Sequence, residues 1–325
     1  MFAACDLGSR GGDSQQSAIL STTKLARDRE TLGSPAMRPA PGQCILTLDM
    51  KRVLTALVLI PLVLAMVFLG PKAQWLFSLG VAVVAMLASW EFMSLTNLGG
   101  GRPPRIAVLV AILLLFVGNY FWVQHTAAAL GALCALLFVY CTFFHPVEQV
   151  MVDAMSGVFA LVYCGFSLVS LPILEGQANG PSLVTLLLCA VWAGDSVAMY
   201  VGKAFGKHKM APSLSPNKSW EGAAGSVVGS MAAAGILFSL AATLQAHDIA
   251  VLTYPDDIWY WLVVAVIINV AAQIGDLAES ALKRSVGVKD SGTLLPGHGG
   301  VLDRIDALLL AAPAVWYSQV LHQLL

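Results

Sequence analysis

Charge is what this chain has least of. Asp, Glu, Lys and Arg make up only 11% of its 325 residues, against about a quarter in soluble domains. A soluble globular enzyme is excluded by that scarcity, and a net charge of −1 gives no reason to expect a nucleic-acid partner. Cysteine is sparse as well. There are six, no Cys-x-x-Cys occurs, and Cys134, Cys141, Cys164 and Cys189 sit inside apolar runs. Buried thiols of that kind behave as small hydrophobes, which argues against a disulfide framework or a zinc site. No Ser-His-Asp or Cys-His arrangement is visible. Lys218-Ser219 lacks the preceding Gly-x-x-x-x-Gly of a P-loop and the strand context such a loop needs, so that reading is rejected. Residues 1–49 lack a sustained apolar period and the apolar core of a signal peptide. Rich in Ser, Gly, Pro, Arg and Asp, they are expected to be a disordered extension. Met50-Lys51-Arg52, followed at once by an apolar run, reads as a natural initiator for a bacterial membrane protein.

Apolar residues are what remains, at 58% of the chain and a mean hydropathy of +0.76. An all-α polytopic membrane protein is the expected fold class. About 20 apolar residues cross the hydrocarbon core as a helix, and nine candidate spans are found near 53–70, 73–95, 106–124, 126–144, 155–174, 182–203, 222–244, 258–280 and 302–322. From Met50 onward Lys51, Arg52, Arg102, Arg105, Lys203, Lys207, Lys209, Lys218, Lys283, Arg284, Lys289 and Arg304 fall at alternate span ends. Of the basic residues only Lys72 falls at the others, together with Glu175, Asp248, Asp256 and Asp257. The positive-inside rule makes the basic side cytoplasmic, giving a cytoplasmic N-terminus and a periplasmic C-terminus.

Within this apolar background the polar groups gather late. Residues 50–180 read as a transmembrane scaffold, with Glu91 as their exceptional acid, either a site carboxylate or a group at the membrane boundary. Residues 181–325 read as catalytic. Asn269, Gln273, Asp276, Ser280 and Lys283 recur at helical spacing, and so share one stripe. Such a stripe cannot face lipid, so it faces protein or a hydrated cavity. Interhelical glue accounts for Asn269 and Gln273 but poorly for Asp276. Asp195 and Lys203 share a face one span earlier, where a charge pair between helices is the plainer alternative. Ser215-Pro-Asn217-Lys218-Ser219-Trp-Glu221-Gly then offers a basic loop with hydroxyls leading into a helix N-terminus, a good place for phosphate oxygens. After Lys283, Arg284, Lys289 and Asp290 comes the turn Pro-Gly297-His298-Gly299-Gly300, where glycines let backbone N–H groups approach an anion. His298 either orients a phosphate oxygen or is a turn residue. Asp276 and Asp303, from two helices, are oxygen donors of the type that holds Mg²⁺ together with water and substrate phosphates.

The 27 residues from Ser280 to Asp306 carry Ser-x-x-Lys-Arg, Lys-Asp, Pro-Gly-His-Gly-Gly and Asp303-Arg304-Ile305-Asp306. This pattern resembles, nearly position for position, the signature of the phosphatidate cytidylyltransferases (CDP-diacylglycerol synthases). The segment from Asp195 to Lys207 is similar to a second recurrent block of that family, and Ser215–Gly222 to a third, with Ser219 where threonine is commoner. The resemblance implies Mg²⁺-dependent transfer of CMP from CTP to phosphatidic acid in the bilayer, with release of pyrophosphate. It implies that Asp276 and Asp303 carry the metal, while a second, monovalent ion is left open. Asp195, Lys218, Lys283, Arg284, Lys289 and Arg304 are then expected to join them in catalysis. Ser215, Asn217, Ser219, Glu221, Ser280, Asp290, Gly297, His298, Gly299, Gly300 and Asp306 are expected to bind substrate. It also implies a polar cavity opening to the cytoplasmic side, where CTP arrives from water and the lipid from the bilayer, a homodimer through the N-terminal helices and a place in the bacterial inner membrane. A secondary transporter and a related CTP-dependent enzyme acting on another lipid are the rival readings. The first fits poorly with long, basic, Gly-rich loops and no inverted repeat.

Overall fold

The computed structural model describes residues 61–69, 73–294 and 299–324. Residues 1–49, including the expected extension, and Gly297 and His298 lie outside the described residues. The helices are α1 (Gln74–Leu98), α2 (Arg105–Phe121), α3 (Thr126–Phe144), α4 (Val150–Glu175), α5 (Gly180–Phe205), α6 (Trp220–Gln245), α7 (Ile258–Ser285) and α8 (Leu302–Leu324). Residues 61–68 are helical ahead of α1. Breakers set the boundaries. α1 stops before Gly99-Gly100-Gly101, where Gly100 takes φ +94°, and Pro103-Pro104 supply no N–H just where α2 begins.

Six helices among the described residues are long and apolar enough to cross a membrane, namely α1, residues 123–144 that contain α3, and α4 to α7. The chain is thus an integral membrane protein. α2 has only 17 residues, and α8 carries Asp303, Arg304 and Asp306 in its first turns and Gln319 and His322 in its last. Half of the expected first span falls outside the described residues. The closely spaced third and fourth spans are distinct helices joined by a single turn at Val123–His125.

α4 is central and α3 peripheral, with 72% and 11% of their most apolar windows buried. A π-helical turn, Leu161–Phe166, interrupts α4, and Pro172 lies inside it farther on. The core around α4 is made of Ile112 and Leu115 from α2, Leu168 and Leu174 from α4, Leu183 and Leu187 from α5 and Trp261 from α7, all essentially inaccessible. Tight van der Waals packing is what holds such helices together in lipid, since apolar burial alone gains little there. Small residues permit it. A Cβ on Gly229 of α6 would lie 2.9 Å from the Ala193 carbonyl of α5, and one on Gly275 of α7 would lie 2.6 Å from the Asp306 carbonyl of α8.

One feature departs from an all-α reading. Between α5 and α6, β1 (Lys209–Ala211) and β2 (Ser215–Ser219) form an antiparallel hairpin, with Lys209 opposite Ser219 and Ala211 opposite Ser215. Pro212 and Pro216 disfavour helix here, and a two-stranded ribbon tolerates Pro because each strand has a free edge. The hairpin marks one end of the bundle, where α5 and α7 finish and α6 and α8 start. At the other end, Thr253 N–H donates to Ser182 Oγ (2.8 Å), and Gln319 Nε2 donates to the Tyr260 hydroxyl (2.8 Å).

Candidate functional site

The stripe on α7 turns inward, as its spacing requires. Asn269, 2% exposed, donates from Nδ2 to Ser226 Oγ (2.8 Å) and Ser230 Oγ (2.7 Å) of α6. The Ser230 hydroxyl in turn donates to the Ala190 carbonyl of α5 at 2.7 Å. Gln273 extends the node, donating to Asn269 Oδ1 (2.5 Å) and the Ala223 carbonyl (3.3 Å). Three helices are thereby pinned by side chains that would each be costly to bury alone. Gly194 of α5 faces this node, with room for no side chain: its Cβ would lie 2.5 Å from Asn269 Nδ2.

Toward the hairpin end the node opens into a cavity of about 640 Å³, within the roughly 300–1,000 Å³ common for small-molecule sites. Asp195, Gly202 and Lys203 of α5, Lys209 of β1, Asn217, Lys218 and Ser219 of β2, and Gln273 and Asp276 of α7 line it. Lys218 Nζ meets Asp276 Oδ2 at 2.6 Å, and Asp195 lies within electrostatic range of both. Ser219 is the N-cap of α6, accepting Gly222 N–H at 3.2 Å. That bond fixes where the strand ends and the helix begins. Cations and acids from four elements thus face one space, in a chain poor in both.

A second polar cluster sits at the start of α8. Asp303 accepts Lys283 Nζ at 2.7 Å, Ser291 N–H at 3.0 Å and Gly300 N–H at 2.8 Å. Lys283 also pairs with Glu279, one turn back on α7 and fully buried. Asp306 lies within electrostatic range of Asp276, Asp195 and Lys283. The two clusters therefore adjoin through α7 and the first turns of α8.

The remaining expected residues are placed differently. Glu221 turns away to His208, 2.6 Å from its Nδ1. Arg284 donates to the Leu214 carbonyl (3.4 Å) and the Val288 carbonyl (2.9 Å), tying the hairpin turn to the end of α7. Ser280 is half-buried on α7, Ser215 is partly buried on β2, and Lys289, Asp290 and Arg304 are exposed. Gly299 adopts φ +83°, a conformation that glycine tolerates. Sequence reasoning missed Glu279, although its i, i+4 spacing to Lys283 was a usable signal. It also missed Ser226, Ser230 and Ser291, whose partners are distant in sequence.

The donors available for a metal are carboxylate oxygens. Asp276 uses Oδ2 for Lys218 and has a partly exposed side chain at the cavity. The acids of the two clusters are Asp195, Asp276, Glu279, Asp303 and Asp306; Lys218 pairs with Asp276, and Lys283 with Glu279 and Asp303. No group of three or more Asp, Glu, His or Cys converges as a metal cage among the described residues. One or two carboxylates with water and phosphate oxygens is the habit of Mg²⁺, so the donor set fits that ion.

Comparison with known proteins gives the chain a family. The model of the cytidylyltransferase family matches residues 50–322. The phosphatidate cytidylyltransferase of Brucella abortus is 34% identical over 271 residues, covering 82% of this chain and 91% of its own length. That of Pseudomonas aeruginosa is 35% identical over 274 residues (81% and 94%), and that of Haemophilus influenzae 33% identical over 292 residues (82% and 97%). With its matched segment taking in the cavity, the hairpin and both acid clusters, the chain belongs to the cytidylyltransferase family and is an enzyme of the phosphatidate cytidylyltransferase kind.

Proposed function

We propose that the chain joins CTP and phosphatidic acid to give CDP-diacylglycerol and pyrophosphate, at the cavity between α5, β2 and α7. The observation that carries this reading is the convergence of Asp195, Lys218 and Asp276 in one partly open space at the hairpin end of the bundle. CTP enters that space from water, and the lipid approaches from the bilayer beside it. A phosphate oxygen of phosphatidic acid bonds to the α-phosphorus of CTP. The bond from that phosphorus to the bridging oxygen breaks, and pyrophosphate leaves with the electron pair. The nucleophile is already an anion, so no general base is needed. Positioning and charge neutralisation carry the catalysis.

Lys218, Asn217 and Ser219 hold phosphate oxygens of the nucleotide, with Lys203 and Lys209 adding positive charge at the cavity wall. Lys283, Lys289 and Arg304 neutralise the triphosphate as charge moves to the leaving group. Ser280, Asp290, Asp306 and the Gly297–Gly300 turn complete the substrate contacts, while Arg284 and Glu221 support them by fixing the hairpin. Asp276 and Asp303 are the residues that would hold Mg²⁺. The bound ion would draw charge from the α-phosphoryl oxygens and the departing pyrophosphate.

The full topology we propose has nine spans in the bacterial inner membrane, with a cytoplasmic N-terminus and a periplasmic C-terminus. The twelve-to-one distribution of basic residues supports it. A homodimer through the N-terminal helices is part of the same proposal. Gly118 and Gly131, on α2 and α3, have open space where a side chain would project, and small residues of this kind let helices of two subunits approach closely.

The test is direct. Detergent-solubilised protein with labelled CTP, Mg²⁺ and phosphatidic acid should yield a lipid-soluble cytidine product and stoichiometric pyrophosphate. A labelled lipid formed only when a polyprenol replaces phosphatidic acid would assign the site to another lipid. No product with either acceptor would defeat the reading.

A further inference from the structure

Glu91 belongs to α1, in the half of the chain that carries little polar chemistry, yet it is only 3% exposed. Its Oε2 accepts the backbone N–H of Leu302 at 2.9 Å and the hydroxyl of Ser291 at 3.0 Å. Those partners lie 211 and 200 residues away. Leu302 opens α8, whose first N–H groups have no acceptor within their own helix. A carboxylate at that point satisfies one of them and sits at the positive end of the helix dipole.

The same short segment is held from its other side by Asp303. Ser291 gives its N–H to Asp303 and its hydroxyl to Glu91, and Gly300 gives its N–H to Asp303. The fit around Glu91 leaves no slack. A Cβ on Gly292 would lie 2.5 Å from Glu91 Oε1, and one on Gly300 would overlap both Glu91 Oε2 and Ser291 Oγ. Glu91 Oε1 is itself buried with no hydrogen-bond partner. Burying an acid with an idle oxygen is costly. A group merely joining two helices has no need to incur that cost. An acceptor that must reach two donors on a segment joined to the reacting region does.

We propose that Glu91 is a positioning residue for nucleotidyl transfer: it clasps Ser291 and Leu302, and so sets the placement of Asp303 from outside the catalytic half. The proposal rests on the reading that Asp303 belongs to the transferring site. What the clasp needs is the oxygen at the Oε2 position. Glutamine keeps that oxygen, and leucine fills similar space without it.

The experiment compares Glu91→Leu, Glu91→Gln and Ser291→Ala with the unsubstituted protein. It measures turnover per folded molecule, KM for phosphatidic acid, and hydrogen exchange of backbone amides over residues 299–305. Glu91→Leu should lower kcat by about 10- to 100-fold, the range for lost supporting contacts, with KM for the lipid little changed and faster exchange over 299–305. Glu91→Gln should recover most of the turnover and the protection. Ser291→Ala, which removes one of the two bonds, should show a smaller loss of the same kind, and it decides the matter if Glu91→Leu fails to fold. Normal kcat per folded molecule in both Glu91→Leu and Ser291→Ala would overturn the proposal. So would a loss seen only as fewer folded molecules, or equal losses in the Leu and Gln variants. An unsubstituted protein without transfer activity would count against the function instead. The exchange over 299–305 still reads the clasp there, and unchanged exchange in Glu91→Leu overturns it.

Discussion

Replacing Gly194 by Ala adds a single methyl group at the point where three helices meet. That Cβ would lie 2.5 Å from Asn269 Nδ2, 2.7 Å from Ser230 Oγ and 2.9 Å from Ser226 Oγ. Ordinary contacts between such atoms begin near 3.4 Å, so α5 and α7 must part by about an ångström at this level. Asn269 has nowhere to swing, because its amide is committed to both serines. Overpacking of this kind costs about 1–3 kcal/mol, and each interhelical hydrogen bond lost adds about 0.6 kcal/mol. The better helix propensity of Ala returns about 1 kcal/mol. The net is a modest destabilisation of about 1–3 kcal/mol. The effect on turnover should be larger. Asp195 is the next residue on α5 and Asp276 stands seven positions beyond Asn269 on α7, so the displacement is delivered to both cavity acids. An ångström of misplacement is worth up to about 100-fold in rate. Gly235→Ala on α6 is the control, since a Cβ there meets nothing within 4 Å. Labelled-CTP transfer per folded molecule, with thermal unfolding in detergent, should show Gly194→Ala slow and slightly less stable and Gly235→Ala unchanged or slightly more stable. Wild-type turnover and Tm in Gly194→Ala would refute the claim that this close approach positions the site.

Asp276→Asn and Asp303→Asn each keep side-chain size while removing one charge from the proposed Mg²⁺ ligands. Each should lower transfer by several orders of magnitude in folded protein, because a catalytic metal supplies several kcal/mol to the transition state. Gln273→Ala, whose contacts are hydrogen bonds worth about 0.6 kcal/mol each, should be milder; near-normal transfer by both Asn variants at saturating Mg²⁺ would refute the two-aspartate assignment and move the acid pair to among Asp195, Asp290 and Asp306. A cysteine beside Asp256 should react with an impermeant thiol reagent from the periplasm, and one beside Lys209 only after permeabilisation. The opposite pattern would reverse the topology and remove cytoplasmic access for CTP.

What the sequence determined by itself was everything governed by short-range periodicity. The 3.6-residue repeat places Asn269, Gln273, Asp276 and Lys283 on one stripe, and the cost of exposing polar groups to lipid forces that stripe inward. Ser219 before a helix is legible as a cap, and charge scarcity with apolar runs is legible as a membrane bundle. Tertiary structure alone decided what the stripe meets. That Asn269 finds Ser226 and Ser230 depends on the depth and rotation of α6 against α7, which packing sets and local pattern does not encode. The hairpin arises because two prolines deny this segment a helix while the ends of α5 and α6 bring its strands together. Glu221 and Arg284 sit inside conspicuous motifs, yet their side chains turn to His208 and to backbone carbonyls beside the cavity. Glu91 is the sharpest case. Alone in an apolar helix it reads equally as a boundary group or a site residue, because its partners come from a segment 200 and more residues away. Only the folded chain brings the start of α8 against α1, and that contact is what gives a buried acid something to hold.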